Sequence, residues 1–288
     1  EKGTGNQECW KFFLPQGKVS GFLKGGAMNS QEGIFLYGVT DSKVKDLLPP
    51  PLELVNPAYP MFYVYIVNIR EPTFAPWYME GGIGLLAKYG DKSGVYFLSL
   101  QLSGPGALMG AYSGRESSGL PKKLCERIVV ERVDDSAHCF IERNGVRLID
   151  VELEIGKYND PDYHAEAEAC MTQKEPFVTG GGCLLHRYRM GVDGFKEMEL
   201  LYYDSPTRYY TWEPASATIK LQSSIDDPWA EIPVVRALGA GWSKSDNWVN
   251  SLTTLYKYKD DEALDAMQYL FSGRYDRCTL CQSHQRYE

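Results

Sequence analysis

With 288 residues, 43% of them apolar, the chain is long enough to bury a sizeable core as one large domain or two small ones. A net charge of −8 and a pI near 5.2 exclude the basic face of a nucleic-acid-binding protein, and the short His186-Arg187-Tyr188-Arg189 cluster reads as a solvated strand edge. No apolar run reaches the roughly 18 residues that a membrane-spanning helix needs, and the polar start, Glu1 to Trp10, has no secretory-signal pattern.

Seven scattered cysteines, an odd number, do not read as a disulfide framework, and no Asn-x-Ser/Thr site occurs. Both observations point to a reducing compartment, so a cytoplasmic location is expected. Cys278 and Cys281 form one C-x-x-C, but only His284 lies near it, too few ligands for zinc, and its polar surroundings do not suit a redox motif. His138, His164 and His186 show no metal spacing either. No metal and no organic cofactor is expected.

In chain order, Thr40 to Leu48 predicts a short helix capped by Thr40 or Asp41 and ended by Pro49-Pro50-Pro51. Strand-like runs follow at Pro60–Ile69, Ile83–Ala87, Val95–Leu102 and Ala107–Tyr112, separated by glycine-rich turns. Arg127–Arg132, His138–Arg143 and Val146–Leu153 continue the pattern, with Asn144-Gly145 as a two-residue hairpin. Leu184–Met190, Glu197–Tyr203 and Ala217–Gln222 add strands. Lys259–Phe271 predicts a helix with acidic residues in its first turn and Leu264, Met267, Leu270 and Phe271 on one face. Many strands at short intervals with few helices predict a mostly-β α+β domain built on a large antiparallel sheet or barrel.

One segment carries chemistry: Gly114-Arg115-Glu116-Ser117-Ser118-Gly119-Leu120-Pro121-Lys122-Lys123-Leu124. On a strand, neighbouring side chains point to opposite faces, so one lysine of the pair enters a given pocket and the other supplies a nearby charge. A lysine attacks a carbonyl only as the neutral amine, which at pH 7 and an ordinary pKa near 10.4 is about one molecule in 2,500. Burial in an apolar pocket and a neighbouring cation both disfavour the charged form.

The pattern G-R-E-x-x-G-x-P-K-K-L resembles the signature of the acetoacetate decarboxylase family, and acetoacetate decarboxylase is itself the standard example of such a lysine. The resemblance extends to Val44-Lys45-Asp46-Leu47-Leu48-Pro49-Pro50-Pro51-Leu52-Glu53 and to Trp77-Tyr78-Met79-Glu80-Gly81, and more loosely to Tyr209–Val234. It implies one domain over residues 1–288, a sheet closed into a barrel-like core with a few flanking helices, and assembly into a homo-oligomer. It also implies a lyase acting on a small keto substrate, with neither nucleic acid nor membrane as partner. In that reading Lys122 forms the Schiff base, Lys123 helps to keep its amine neutral, and Glu80 moves protons or orients substrate. Arg115 and Glu116 support the site.

The resemblance breaks at two positions. The family's pocket arginine aligns with Gln31, and its glutamate partner with Tyr65. An ion pair is thus replaced by a neutral pair, which suits a larger carbonyl compound than acetoacetate. Gln101, at a strand end before a Ser-Gly-Pro-Gly turn, is a further pocket candidate. The expectation is therefore an aldolase, dehydratase or cyclase type of Schiff-base enzyme in secondary metabolism. The alternatives are a β-keto acid decarboxylase, with Arg70 as a substitute cation, and a non-catalytic carbonyl-binding protein of the same fold.

Overall fold

A computed structural model describes Gly17, residues 26–171 and residues 176–277. Alternation of aromatic and β-branched residues with smaller ones builds fifteen strands: β1 (Met28–Val39), β2 (Glu53–Leu54), β3 (Met61–Pro72), β4 (Tyr78–Tyr89), β5 (Lys92–Ser103), β6 (Lys122–Leu124), β7 (Arg127–Val133), β8 (Ser136–Arg143), β9 (Val146–Ile155), β10 (Phe177–Thr179), β11 (Gly182–Gly191), β12 (Gly194–Asp204), β13 (Thr207–Leu221), β14 (Arg236–Trp248) and β15 (Ser251–Lys257). They form one sheet in the order β15-β12-β11-β5-β4-β3-β1-β14-β13-β9-β8-β7, with β2 on β4, β6 on β5 and β10 on β13.

The fold is mostly-β α+β, but two features differ from expectation. The sheet is mixed, because β5 runs parallel to both β6 and β11. It is also not closed into a barrel, since its end strands β15 and β7 do not pair. Twist instead carries β7 across the faces of β3, β4 and β5. The two layers meet through side chains: Ile141 of β8 approaches Gly81 so closely that a Cβ there would lie 2.9 Å from Ile141 Cδ1. A packed apolar interior replaces the ladder that closure would need.

Alternation divides the side chains between two clusters. Ile34, Leu36, Phe62, Val64, Ile66, Ile83 and Leu85 lie in the larger core with Ile141, Ile149 and Trp229. Phe35, Val67, Ile69, Leu100 and Leu102 face the other way, against the helix α1 (Ala107–Ser118). That second face carries the lysine of interest.

Residues 107–112, expected as a strand, lie in α1. Its buried stripe is made of small residues, Ala107, Gly110, Ala111, Gly114 and Ser118, while Leu108, Met109 and Tyr112 are exposed. The small face lets the helix dock closely. Gly106, Gly110 and Gly114, spaced by four, bring its backbone against the Pro76 carbonyl, the Tyr78 ring and the Lys122 side chain. Helix α2 (Pro161–Met171) has no counterpart among the predicted elements; it seats the Tyr163 ring over Gly239 of β14, where a Cβ would lie 2.8 Å from the ring.

The C-terminal helix forms as α3 (Asp260–Leu270), with Glu262 accepting from the Lys259 backbone N–H at 3.0 Å. Its buried face is Ala263, Ala266 and Leu270, while Leu264 is 70% exposed. The short helix is a 3-10 turn over Ser42–Leu47, capped by Asp41, which accepts from the Lys43 N–H at 2.8 Å. Asn144-Gly145 joins β8 to β9 with positive φ at both residues. The His186–Arg189 cluster is only partly solvated. It lies in β11 and pairs with β12, with His186 and Tyr188 buried and Arg187 and Arg189 paired to Glu199 and Glu197 at 2.6 and 3.0 Å. Among the described residues no helix is long and apolar enough to cross a membrane. Cys278, Cys281 and His284 lie outside the described residues.

Candidate active site

Strand register decides which predicted residues meet. Lys122 pairs with Leu100, Glu80 with both Leu102 and Val67, and Phe35 with Tyr65. Directly paired residues share a face, so Lys122, Glu80 and Tyr65 all project from the α1 side of the sheet. Lys122 Nζ lies 2.7 Å from Glu80 Oε2, and the Tyr65 hydroxyl donates to Glu80 Oε1 at 2.5 Å. Lys122 is 5% exposed and Glu80 6%.

The amine is held between opposing influences. Burial pulls its pKa down, but the Glu80 carboxylate, with Tyr78 beside it, outweighs burial and sets it above the ordinary lysine value. In the free protein Lys122 is therefore an ammonium paired with Glu80. Its contact with Oε2 is close but poorly aligned for a hydrogen bond, which leaves Oε2 with acceptor capacity to spare. Burial, with the Glu80 charge second, keeps the Tyr65 hydroxyl well above the usual tyrosine range, so it remains a donor.

Lys122 opens onto a cavity of about 450 Å3 between α1 and the sheet. Tyr78 forms one wall, its ring centroid 5.7 Å from Nζ, and Tyr203 of β12 also lines the cavity. Asn29, Phe74 and the α1 residues Gly110, Gly114 and Glu116 complete the surround. Among the described residues, neither arginine nor a second lysine lines this cavity.

A Cβ at Gly114 would stand 2.9 Å from Lys122 Cδ and Cε and 3.2 Å from Nζ. Gly114→Ala is thus expected to keep or slightly raise the melting temperature, because alanine favours helix by about 1 kcal/mol. The same change displaces the amine and lowers turnover on the order of 100-fold. Equal turnover in the variant would show that the amine does not need this seat.

Several predicted residues lie elsewhere. Lys123 and Gln101 pair with each other in register and project from the opposite face. There Lys123 Nζ contacts Asp227 at 3.1 Å and Asp276 at 2.9 Å, and donates to the carbonyls of Asp226 and Ser272. Gln101 donates to Asp227 at 3.0 Å, and Arg143 reaches Asp227 and Asp276 at 2.6 and 2.7 Å. Lys123 is therefore charge-compensated and turned away from Lys122, and Gln101 does not reach the cavity. Alternation along β5 and β6 is the reason.

Gln31 lies on the site face but bonds Ser245 at 3.4 Å, and it is Asn29 of the same strand that lines the cavity. Arg70 points the other way, is 60% exposed and pairs with Glu32. Arg115 lies over the Tyr275 ring at 5.6 Å, and Glu116 is exposed at the cavity rim. Tyr78, Tyr203 and the glycine face of α1 were not identified from sequence. The Gly-x-x-x-Gly-x-x-x-Gly spacing from Gly106 to Gly114 was the available signal for the last of these.

The sequence matches the family Acetoacetate decarboxylase (ADC) over residues 15–259. It is 34% identical over 274 residues to the CLA biosynthesis isomerase of Lactiplantibacillus plantarum, covering 92% of this chain and 95% of that protein. The crystal structure of acetoacetate decarboxylase from Legionella pneumophila superposes with a TM-score of 0.64 at 15% identity, covering 81% of this chain and 88% of the other. The enduracididine biosynthesis enzyme MppR, in complex with the condensation product of pyruvate and imidazole 4-carboxaldehyde, superposes with a TM-score of 0.59 at 11% identity, covering 85% and 95%. Sequence match and shared architecture together make this chain a member of the acetoacetate decarboxylase family.

Proposed function

We propose that this enzyme forms an iminium between Lys122 and a ketone, and that Glu80 then moves a proton from one carbon to another along the resulting enamine, so that a carbon–carbon double bond changes place. The observation that carries the reading is the buried Lys122–Glu80 contact of 2.7 Å, with Lys122 opening onto a cavity that no arginine lines among the described residues. A small carboxylate substrate calls for a cation in the pocket. A neutral ketone does not. The 34% identity to an isomerase supports relocation of a bond over loss of carbon dioxide.

The steps balance within the pair. The Lys122 ammonium gives its proton to Glu80 Oε2, and the neutral amine attacks the carbonyl carbon. The Glu80 carboxyl returns that proton to the carbinolamine oxygen, the C–O bond breaks and water leaves. The iminium acidifies the adjacent carbon, and Glu80, again a carboxylate, removes a proton there. In a β,γ-unsaturated ketone the electrons then extend to the γ carbon, which takes the proton back from Glu80. Hydrolysis releases the conjugated ketone and restores the ammonium. Tyr65 holds Oε1 throughout, leaving Oε2 as the shuttling oxygen. The same enamine serves aldol addition and dehydration, the branch to which the MppR complex lends support.

A second reading has its own observation. Because Glu80 holds the Lys122 amine above its ordinary pKa, Lys122 could stay an ammonium and polarise the carbonyl by hydrogen bonding while Glu80 enolises the ketone. Reductive trapping separates the two. With a β,γ-unsaturated methyl ketone and cyanoborohydride, the iminium reading expects one adduct on the Lys122 peptide by mass spectrometry, none in Lys122→Arg, and ultraviolet growth of the conjugated product without reductant. Turnover with no adduct would overturn the iminium and leave the ammonium reading standing.

A further inference from the structure

The cavity onto which Lys122 opens is lined by hydroxyl groups of two kinds. Those of Ser113, Ser117 and Ser118 donate to carbonyls of their own helix, at Gly110, Ser113 and Gly114, and are occupied there. Among the described residues, the Tyr78 hydroxyl donates to no carbonyl or carboxylate. Two glycines of α1, one turn apart, place it beside the amine. A Cβ at Gly110 would stand 2.9 Å from Tyr78 Cζ, the atom that bears the hydroxyl, and one at Gly114 would stand 3.2 Å from Lys122 Nζ. One helical turn rises about 5.4 Å, so the phenol end of Tyr78 and the amine end of Lys122 lie side by side under α1. Glu80 follows Tyr78 by two residues on β4 and shares its face. The amine thus has a carboxylate on one flank and a phenol on the other. Tyr78 is 4% exposed, and burial pushes its hydroxyl pKa up to about 12 against the pull of the Lys122 ammonium, so it keeps its proton at neutral pH.

We propose that the Tyr78 hydroxyl binds the ketone oxygen while the Lys122 amine attacks, which makes Tyr78 a catalytic residue for forming and hydrolysing the iminium but not for moving protons between carbons. The inference rests on the iminium reading and adds to it the group that holds the departing oxygen. As the N–C bond forms, the π pair of the carbonyl moves to oxygen, where a donor already fixed in a buried site stabilises the charge. Glu80 then delivers the proton it took from Lys122, the C–O bond breaks and water leaves. Tyr78 donates a hydrogen bond throughout and keeps its own proton, so the step balances without it. Glu80 has a single proton to give and its Oε1 is engaged by Tyr65, so the second donor to the oxygen comes from the opposite flank, where Tyr78 stands.

The test follows butanone by mass spectrometry in water labelled with both deuterium and heavy oxygen. Each cycle of iminium formation and hydrolysis replaces the ketone oxygen, whereas deuterium enters the adjacent carbons whenever Glu80 acts on the iminium. Tyr78→Phe keeps the ring against Gly110 and should slow oxygen replacement on the order of 100-fold. Because hydrolysis slows together with formation, each iminium lasts longer, and the deuterium gained per oxygen replaced should rise. A variant that had merely lost well-formed sites would slow both exchanges together and leave their ratio unchanged. That outcome, or oxygen replacement as fast as in the parent, would overturn the role of Tyr78 and leave the iminium standing. Absence of catalysed oxygen replacement in the parent itself would overturn the iminium reading, and the role of Tyr78 with it.

Discussion

Lys122→Met is expected to unfold at markedly lower urea concentration than the parent, and Lys122→Met/Glu80→Gln to recover most of the difference. The single change removes the ammonium from a carboxylate that is 6% exposed, leaving that oxygen pair with the Tyr65 hydroxyl as its remaining donor. Removing one member of a buried ion pair costs about 3–5 kcal/mol, whereas removing both members is far milder, since no charge is left stranded. Activity should follow the opposite logic. Both variants lose turnover by at least about 10,000-fold, as expected when a group that bonds to substrate is deleted from a set acting as a unit. A thermodynamic cycle that also includes Glu80→Gln reads the coupling directly. A single variant as stable as the parent would mean that the pair is not the buried contact described here.

Asp227→Ala should be the most destabilising substitution outside the cavity. Asp227 is fully buried and accepts from Gln101, Lys123, Arg143 and Ser224. Its loss leaves two cations sharing the partly exposed Asp276, and a penalty of about 3–5 kcal/mol is expected in urea unfolding. Asp227→Asn, which retains part of the hydrogen bonding, should cost less. The companion variant Lys123→Met separates structure from electrostatics. Because Lys123 faces away from Lys122 and is already neutralised, it should lower stability while leaving the pH dependence of ketone trapping where it was. A displaced pH profile would restore the sequence-based role of Lys123 as a cation acting on its neighbour.

The strands legible in the sequence were those whose residues alternate between two apolar clusters or turn on a recognisable dipeptide, as at Asn144-Gly145. The β1 and β14 strands were harder, because they trade bulk for close approach. Gly239 and Gly241 lie under the rings of Tyr163 and Trp212, so the strand carrying them shows few of the β-branched residues that mark a strand. Helix α1 was misread for a related reason: its contact face is made of alanine, glycine and serine, and its larger apolar residues point outward. Closure of the sheet was a question of twist over many strands, which no local pattern records.

In the site, motif spacing named residues close together in sequence but not the partners each would meet. Lys122 and Lys123 differ by one residue and end in opposite chemical surroundings. Period-two alternation put the two lysines on opposite faces from sequence; what it could not show was that the face of Lys123 holds Asp227 and Asp276, which compensate its charge. Tyr78 and Tyr203 come from strands far apart in sequence, and only the sheet order brings them to one cavity.

The charge lock behind β6 draws its second carboxylate from Asp276, more than 150 residues after Lys123. During synthesis, Lys123 and Arg143 emerge from the ribosome long before this counter-ion exists. The strand β6 therefore lacks part of its charge compensation on a partly made chain. A nascent polypeptide carries both cations before their shared counter-ion, so this buried charge cluster completes only after residue 276 has been added and docked.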